Sequence, residues 1–235
     1  MLLRNRTPVH HVVALSLFVP LAGCAHETWL LPDDTNVVDL QYKPDREKTS
    51  PLGRLPRLKI ALEVRDRRVV SEQDRVGNGE TWHDTLLKHR ILPAKVISQD
   101  PVVILTTAMT YALRDNGHTV VQARDLTAGV IIQAHLKMFM SNIIEREDLG
   151  PLLESAFAMD IEVLTKPDDN RILSKPIRTT YRRVCSVFTS MTNFYTMVNC
   201  YAETLNEGFA RFIQSFSADP EVLEALRSAF PKTGT

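Results

Sequence analysis

The fold is decided by residues 130–144, which read VIIQAHLKMFMSNII. Apolar side chains occupy alternate positions and would share one face of a strand: Ile132, Ala134, Leu136, Met138 and Met140. The positions between them carry Gln133, His135 and Lys137. A period of two is that of a β-strand with one face on a core and the other in water. This pattern predicts a half-buried strand with His135 on its wet surface.

Further strands are predicted on both sides of this one, over 58–64, 94–97, 118–123, 157–163 and 172–187. Residues 166–171 contain Pro167-Asp168-Asp169-Asn170, which is typical of a hairpin turn between the last two strands. Pro176 lies within the final strand, which favours an edge position because proline has no backbone N–H to donate.

Two aspartate-proline pairs predict helix starts, at Asp100-Pro101 and at Asp219-Pro220. Aspartate is a favoured N-cap, and proline suits the first helical position. Gly117 is suited to end the first helix, and apolar residues spaced three to four apart predict another over 194–217. We therefore expect an α/β, α+β-like sandwich: a mostly antiparallel sheet of four to five strands, covered on one face by two longer helices and a short C-terminal helix.

Composition narrows the class of protein. The 235 residues include 28 basic and 28 acidic side chains, and 44% are hydrophobic, so a wholly disordered chain is excluded. The zero formal net charge gives no overall electrostatic attraction to nucleic acid. Three cysteines are too few for a disulfide scaffold. We expect a folded domain that does not bind nucleic acid.

The amino terminus has the layout of a secretory signal. Arg4 and Arg6 precede an apolar run over residues 12–23, which is shorter than the roughly 20 residues that span a bilayer as a helix. The run ends Leu21-Ala22-Gly23-Cys24, which resembles the lipobox of bacterial lipoproteins. The alternatives are a plain secretory signal, or a buried apolar segment that contains an incidental cysteine.

The lipobox resemblance implies a sequence of modifications. A diacylglyceryl group would join the Cys24 thiolate, cleavage would follow Gly23, and the new amino group would be acylated, for example with palmitate. Several acyl chains give stable attachment to a membrane. Residue 25 is Ala rather than Asp. By resemblance to sorted lipoproteins, this implies the outer membrane, with the domain facing the periplasm.

These features predict three regions. Residues 1–23 are the signal peptide, 24–56 a lipidated flexible tether, and 57–235 a single periplasmic domain. The tether prediction rests on Pro32, Pro44, Pro51 and Pro56 and on the lack of apolar periodicity between them.

Several segments of the domain resemble segments of a known protein family. Near the start of the domain they are the strand 58–64, which runs into Val64-Arg65-Asp66-Arg67, and Val76-Gly77. Further along they are the helix 100–117 with its continuation to Val120, and Thr204-Leu205-Asn206 followed by Ala218-Asp219. Over residues 57–227 the pattern resembles the YajG family of bacterial lipoproteins. It is more loosely similar to auxiliary lipoproteins of envelope ABC transporters. The YajG likeness implies location and fold, and no catalytic activity.

Two groups of charged residues are candidate binding sites. Asp66 and Arg67 either form a recognition loop or lie in a solvated turn in which Asp66 accepts a backbone hydrogen bond. Four basic residues either bind an anionic partner or only form a solvent-exposed surface: Arg65, Arg67, Arg68 and Arg75. Glu80, His83 and His89 have metal-binding side chains, but their spacing fits no common motif, so we expect no metal site.

The sequence contains no Gly-x-Ser-x-Gly, no His-Glu-x-x-His and no glycine-rich phosphate loop, so we expect neither an enzyme nor a cofactor. Cys185 and Cys200 remain after lipidation of Cys24. In an oxidising compartment they either form a disulfide or serve as small buried hydrophobic residues.

The leading hypothesis is a non-enzymatic outer-membrane lipoprotein that acts as a structural or assembly partner of an envelope complex. The alternative is a ligand-binding auxiliary subunit of an envelope lipid or solute ABC transporter, which would need a deep apolar pocket between sheet and helices, rimmed by arginines. A third hypothesis, an envelope hydrolase, would need titratable groups that converge in a pocket.

Overall fold

A five-stranded mixed sheet lies at the centre of the chain in a computed structural model, with the order β6-β2-β7-β8-β9. The structure describes residues 37–38, 40, 42, 50–69, 81–82, 90–91, 96–97, 100–147, 150–185 and 194–230. All of them belong to one of the two compact units of the chain, Pro32–Thr235.

The strands of the sheet are β2 (Lys59–Asp66), β6 (Thr119–Gln122), β7 (Val130–Glu147), β8 (Gly150–Thr165) and β9 (Asn170–Val184). Short pairs are formed by β1 (Val37–Val38) with β5 (Val96–Ile97), and by β3 (Thr81–Trp82) with β4 (Arg90–Ile91). The helices are α1 (Pro101–Asp115), α2 (Phe194–Ala218) and α3 (Pro220–Ser228), and a 3-10 helix spans Pro51–Arg54.

The predicted fold class is confirmed, and the sheet is mixed. Strand β2 is parallel to both β6 and β7, whereas β7–β8 and β8–β9 are long antiparallel pairs. The chain leaves β2, passes through α1 and returns beside β2 as β6, as in a βαβ unit, which accounts for the parallel β2–β6 pair. The antiparallel pairs are formed by strands that are consecutive in the chain.

Both aspartate-proline helix starts are confirmed. The Asp100 carboxylate accepts the Val102 N–H at 2.7 Å, and Asp219 accepts the N–H groups of Glu221 and Val222, each at 3.0 Å. Gly117 follows α1 with a φ of +88°, a conformation that glycine adopts without the strain of a Cβ.

The main core lies between the sheet and the helices. Four phenylalanine rings meet at its centre, with centroid distances of 5.0 to 6.5 Å: Phe139, Phe157, Phe209 and Phe212. All four side chains are buried. Aromatic pairs at these distances add specific attraction to the burial of apolar area.

Residues that the sequence assigned to the tether contribute to this core. Leu40 is buried, and the Tyr42 ring meets Phe209 edge to face at 6.1 Å. Leu52 and Leu55, in and after the 3-10 helix, are buried too. Among the described residues, the packed part of the chain therefore begins before residue 56. Isolated apolar residues between prolines have no period that would reveal their burial.

His118 ties the 3-10 helix to the start of β2. The Leu58 N–H donates to its Nδ1, and its Nε2–H donates to the Leu52 carbonyl, both at 3.3 Å. These two bonds require the neutral ring. Burial lowers the pKa of His118, and the bond to Leu52 offsets that effect only in part.

A β-bulge at Lys137 changes the predicted pattern of β7. Leu136 pairs with Met159 and Met138 with Ala158, so two residues of β7 advance for one of β8. Beyond the bulge the faces exchange: Phe139 and Ser141 are buried against the helices, whereas Met138 is 39% exposed. The prediction that Met138 and Met140 share the core face with Leu136 is therefore wrong. One extra residue exchanges the faces of the side chains that follow it, here as far as a second register shift between Ile143 and Glu145.

Candidate functional site

The predicted lipid-attachment residue, Cys24, and its flank of Leu21, Ala22 and Gly23 lie outside the described residues. The predicted metal-binding candidates Glu80, His83 and His89 lie outside them as well, and so does Arg75. Within the part of the chain that the structure describes, no three His, Cys, Asp or Glu side chains form a group that could hold a metal ion. None of the described helices is long and apolar enough to cross a membrane.

Cys185 and Cys200 form a disulfide bond, with their Cα atoms 6.1 Å apart. Cys185 directly follows β9 and Cys200 belongs to the second turn of α2. The bond therefore joins the end of the edge strand to the long helix that covers the sheet. It is one of the two alternatives that the sequence left open.

The Asp66 carboxylate accepts a hydrogen bond from the backbone N–H of Arg68 at 2.9 Å. One of the two interpretations of this turn required such a bond. The same carboxylate binds the Arg68 guanidinium, with Nη2 to Oδ2 at 2.7 Å. Burial raises the pKa of Asp66, but the hydrogen bonds and charge of Arg68 outweigh it and hold the pKa below its usual range. Arg68 is buried and Arg65 binds Glu63, so Arg65, Arg67 and Arg68 do not form one continuous basic surface.

The face of the sheet opposite the helices, here called the distal face, carries the remaining candidate groups. Three cross-strand rows define it. Arg65, His135 and Asp160 form one row, and Glu63, Gln133 and Glu162 form the next. The third row consists of Met138, Ala158 and Arg178. Arg67 follows the end of β2, near enough to His135 for its charge to lower the pKa of that ring.

His135 is 6% exposed and has no hydrogen-bond partner at Nδ1 among the described residues. The prediction of a surface histidine is wrong: the ring is buried within the sheet, with Arg65 of β2 and Asp160 of β8 as its cross-strand neighbours. Burial lowers the pKa of His135, and the charges of Arg67 and Arg65 lower it further, while Glu162 and Asp160 act in the opposite direction. The ring is therefore neutral at neutral pH.

The bulge directs two consecutive side chains, Lys137 and Met138, to the distal face. The Lys137 ammonium lies 3.3 Å from the Asp160 carboxylate, which places it beside the row of His135. Met138 stands over Ala158. Bulges are known to redirect side chains at functional surfaces.

On this face, β8 carries small side chains between larger ones of β7 and β9, and we call this strip the trough. Its floor is Ala156 and Ala158, which are small and nearly covered, at 8% and 9% exposure. Met138 and Met140 stand on the β7 side of the floor, and Thr180 and Arg178 stand on the β9 side. The Arg182–Glu154 ion pair lies at one end of the trough, and the Lys137–Asp160 pair lies at the other.

Two exposed arginines border this trough without a carboxylate partner among the described residues: Arg67 and Arg178. The other cations of β9 all bind a carboxylate, unlike Arg178. Arg171 binds Glu162, Lys175 binds Asp219 and Glu221, Arg182 binds Glu154, and Arg183 binds Glu203.

We call the set of Arg67, Met138, Met140, Ala156, Ala158, Arg178 and Thr180 the distal patch. Sequence reasoning missed it because its members come from four strands, and only the pairing register brings them together. The one signal available was the run of five cations without an acid over 171–183.

The space between sheet and α2, where the sequence placed a ligand pocket in the transporter hypothesis, is occupied in its described part by the four phenylalanine rings. Gly208 of α2 lies so close to β8 that a Cβ there would be 2.9 Å from Phe157 Cε2 and from Ser155 Cβ. The described helix–sheet interface is thus a packed core, and the distal patch is the better candidate for contact with another molecule.

Neither the protein-family models nor the curated proteins include a match to this sequence. Among solved structures, the chain resembles protein XCC0632 from Xanthomonas campestris, of family DUF330, with a TM-score of 0.50, 10% identity, and coverage of 77% of this chain and 94% of that one. At this identity the likeness shows the fold alone.

A minor lipoprotein from Acinetobacter baumannii is also similar, with a TM-score of 0.37, 13% identity, and coverage of 69% of this chain and 92% of that one. The similar structures thus include a bacterial protein that is named a lipoprotein.

Proposed function

We propose that this chain is a non-enzymatic bacterial lipoprotein, held at the outer membrane by lipid on Cys24, whose periplasm-facing domain is a structural or assembly partner of an envelope protein complex. The amino terminus carries this proposal. Arg4 and Arg6, the apolar run over 12–23 and the sequence Leu21-Ala22-Gly23-Cys24 occur in the order that lipid modification requires.

One further observation supports an envelope location. The Cys185–Cys200 disulfide is a bond that persists in oxidising compartments and is rare in the cytosol. We assign the chain more narrowly to the YajG-like lipoproteins on the segments between residues 57 and 227 that resemble that family.

A partner role is favoured over the transporter-subunit alternative because the described space between the sheet and α2, where the pocket was predicted, is a packed core. The distal patch, on the opposite side of the sheet, carries the exposed Met138 together with two exposed arginines, Arg67 and Arg178. Apolar and charged groups side by side on a surface are typical of contacts between proteins, whereas small ligands are usually enclosed in concave sites.

Metabolic labelling with palmitate, followed by fractionation of membranes, tests the anchor. We expect the native chain to be labelled and to sediment with the outer membrane, and Cys24→Ala to lose both properties. A variant with Cys185→Ala and Cys200→Ala is the matched control, because it removes the other two cysteines and should keep the label. Equal labelling of the native and Cys24→Ala chains would contradict the proposal.

The position after Cys24 tests the choice of membrane. In a Gram-negative cell, Ala25→Asp should keep the label and move the protein from the outer to the inner membrane fraction. An unchanged distribution would contradict the outer-membrane assignment and leave the lipid anchor in place.

A further inference from the structure

We propose that the distal patch is the surface that docks the protein partner, and that the partner presents an apolar side chain flanked by carboxylates. The inference rests on the proposed function, since it assumes that an envelope partner exists. It further specifies which face of the domain makes the contact and which chemical groups the partner presents there.

The apolar centre of the patch is adaptable. Met138 is 39% exposed, and together with Met140 it borders the floor formed by Ala156 and Ala158. Methionine is unbranched and polarisable, so its side chain can move aside and repack around an incoming group. The alanines beneath leave room for one such group to approach the sheet.

The basic flanks of the patch set the charge of the partner. Arg67 directly follows β2 and Arg178 belongs to β9, so three strand spacings, about 14 Å across the sheet, separate their strands. Both are exposed and lack a described carboxylate partner, whereas the other four cations of β9 are paired. Guanidinium groups bind carboxylates through paired hydrogen bonds, so acids on the partner would bind these two arginines.

The patch suits a protein better than a lipid surface. Asp160 and Glu154 lie at the two ends of the trough. Both carboxylates are paired, with Lys137 and Arg182, so the unpaired positive charge of the patch is confined to Arg67 and Arg178, whereas an anionic bilayer attracts continuous basic surfaces. A folded segment can place its own acids opposite the two arginines alone and thus match the alternating charges.

Site-specific photo-crosslinking in the cells that produce the protein tests this inference on the full lipidated chain. A photoreactive residue replaces the exposed Thr180 at the trough, and in a control chain it replaces Tyr111 of α1, which is 50% exposed on the helix side. We expect a protein adduct at Thr180, with crosslinked peptides that carry Asp or Glu beside a large apolar residue.

Charge reversal supplies the second arm. Combining Arg67→Glu with Arg178→Glu should lower the Thr180 adduct about tenfold, because it replaces both attractions by repulsion. Arg54→Glu with Arg57→Glu is the matched control, since it makes the same charge change before the start of β2. Both double variants should keep palmitate labelling and the native unfolding temperature, which excludes misfolding as the cause.

Several results would overturn the inference. They are an adduct with phospholipid or with a second copy of this chain, equal adduct yields for both double variants, and a protein adduct formed from Tyr111 alone. In the last case the partner role stands and only the assigned surface fails. Labelled chains that give no protein adduct at either position would contradict the partner role itself.

Discussion

Gly208 is the residue at which α2 approaches the sheet most closely. Gly208→Ala would place a methyl group 2.9 Å from Phe157 Cε2 and Ser155 Cβ, and 3.3 Å from Tyr181 Cβ. Overpacking of this kind costs about 1–3 kcal/mol, and the better helix propensity of alanine offsets roughly 1 kcal/mol. We expect a lower free energy of unfolding in urea.

Gly129→Ala is the control for this prediction, because a Cβ at Gly129 meets nothing within 4 Å. It should leave the free energy of unfolding nearly unchanged. If the two variants were equally stable, the close approach of α2 to β8 would be disproved.

His118 makes the stability of the domain depend on pH. The folded chain holds its ring neutral, so its pKa lies below that of the unfolded chain, about 6.5. The unfolded state therefore binds the proton more tightly, and the free energy of unfolding should fall as the pH drops below about 6.5. His135, whose pKa is also lowered, adds to the same slope.

His118→Ala should lower the free energy of unfolding by about 1–3 kcal/mol near neutral pH, because it leaves the Leu58 N–H and the Leu52 carbonyl without their partner. It should also reduce the slope between about pH 7 and pH 5. Urea titrations at several pH values measure both effects. An identical slope in the variant and the native chain would show that His118 does not titrate on unfolding.

The start of α3 is stabilised by the charged side chain of Asp219. Asp219 caps the helix and also binds Lys175 of β9 at 2.8 Å. Burial raises the pKa of Asp219, but Lys175 and the capped N–H groups outweigh it and lower the pKa. The carboxylate therefore stabilises the fold above its unfolded pKa of about 3.9, and this contribution is lost as the pH falls towards the folded value.

Two substitutions separate the cap from the ion pair. Asp219→Asn keeps a capping oxygen and loses the charge, whereas Asp219→Ala loses both, so we expect Ala to cost about 1 kcal/mol more in thermal or urea unfolding. Below about pH 4, the free energy of unfolding should fall less steeply with pH in Asp219→Asn than in the native chain. Equal losses for Asn and Ala would show that the cap contributes nothing.

The elements differ in how far local sequence determines them. The helix starts were predicted because capping is a local interaction between an aspartate and N–H groups two or three residues later. The bulge at Lys137 was missed because an extra residue in a strand carries no local signature. Since the side chains that directly follow it in β7 depend on it, both the burial of Phe139 and the exposure of Met138 were missed with it.

The two candidate sites differ in what the sequence can show of them. The lipobox is contiguous, so residues 21–24 can be read directly from the sequence, and their lipidation stays a prediction. The distal patch depends on the registers of β2, β7, β8 and β9, which involve contacts between residues far apart in the chain. His135 was misplaced for the same reason, because its cross-strand neighbours are Arg65 of β2 and Asp160 of β8.

At the scale of the whole molecule, the disulfide fastens the edge of the sheet to α2. It closes a loop with a sequence separation of 15, for which the chain-entropy model gives about 3 kcal/mol. We expect dithiothreitol to lower the free energy of unfolding by about that amount. The variant with Cys185→Ala and Cys200→Ala should be weakened similarly and should not respond to the reductant. An unaffected native chain would contradict a stabilising bond.

The central claim is that this fold reaches the envelope as a lipid-anchored domain. Mass spectrometry of the amino-terminal peptide from membrane-purified native protein tests it most directly. The account predicts a peptide that begins at Cys24 and carries a diacylglyceryl group and an amide-linked acyl chain. A peptide that begins at Met1, or one that begins elsewhere and carries no lipid, would contradict it.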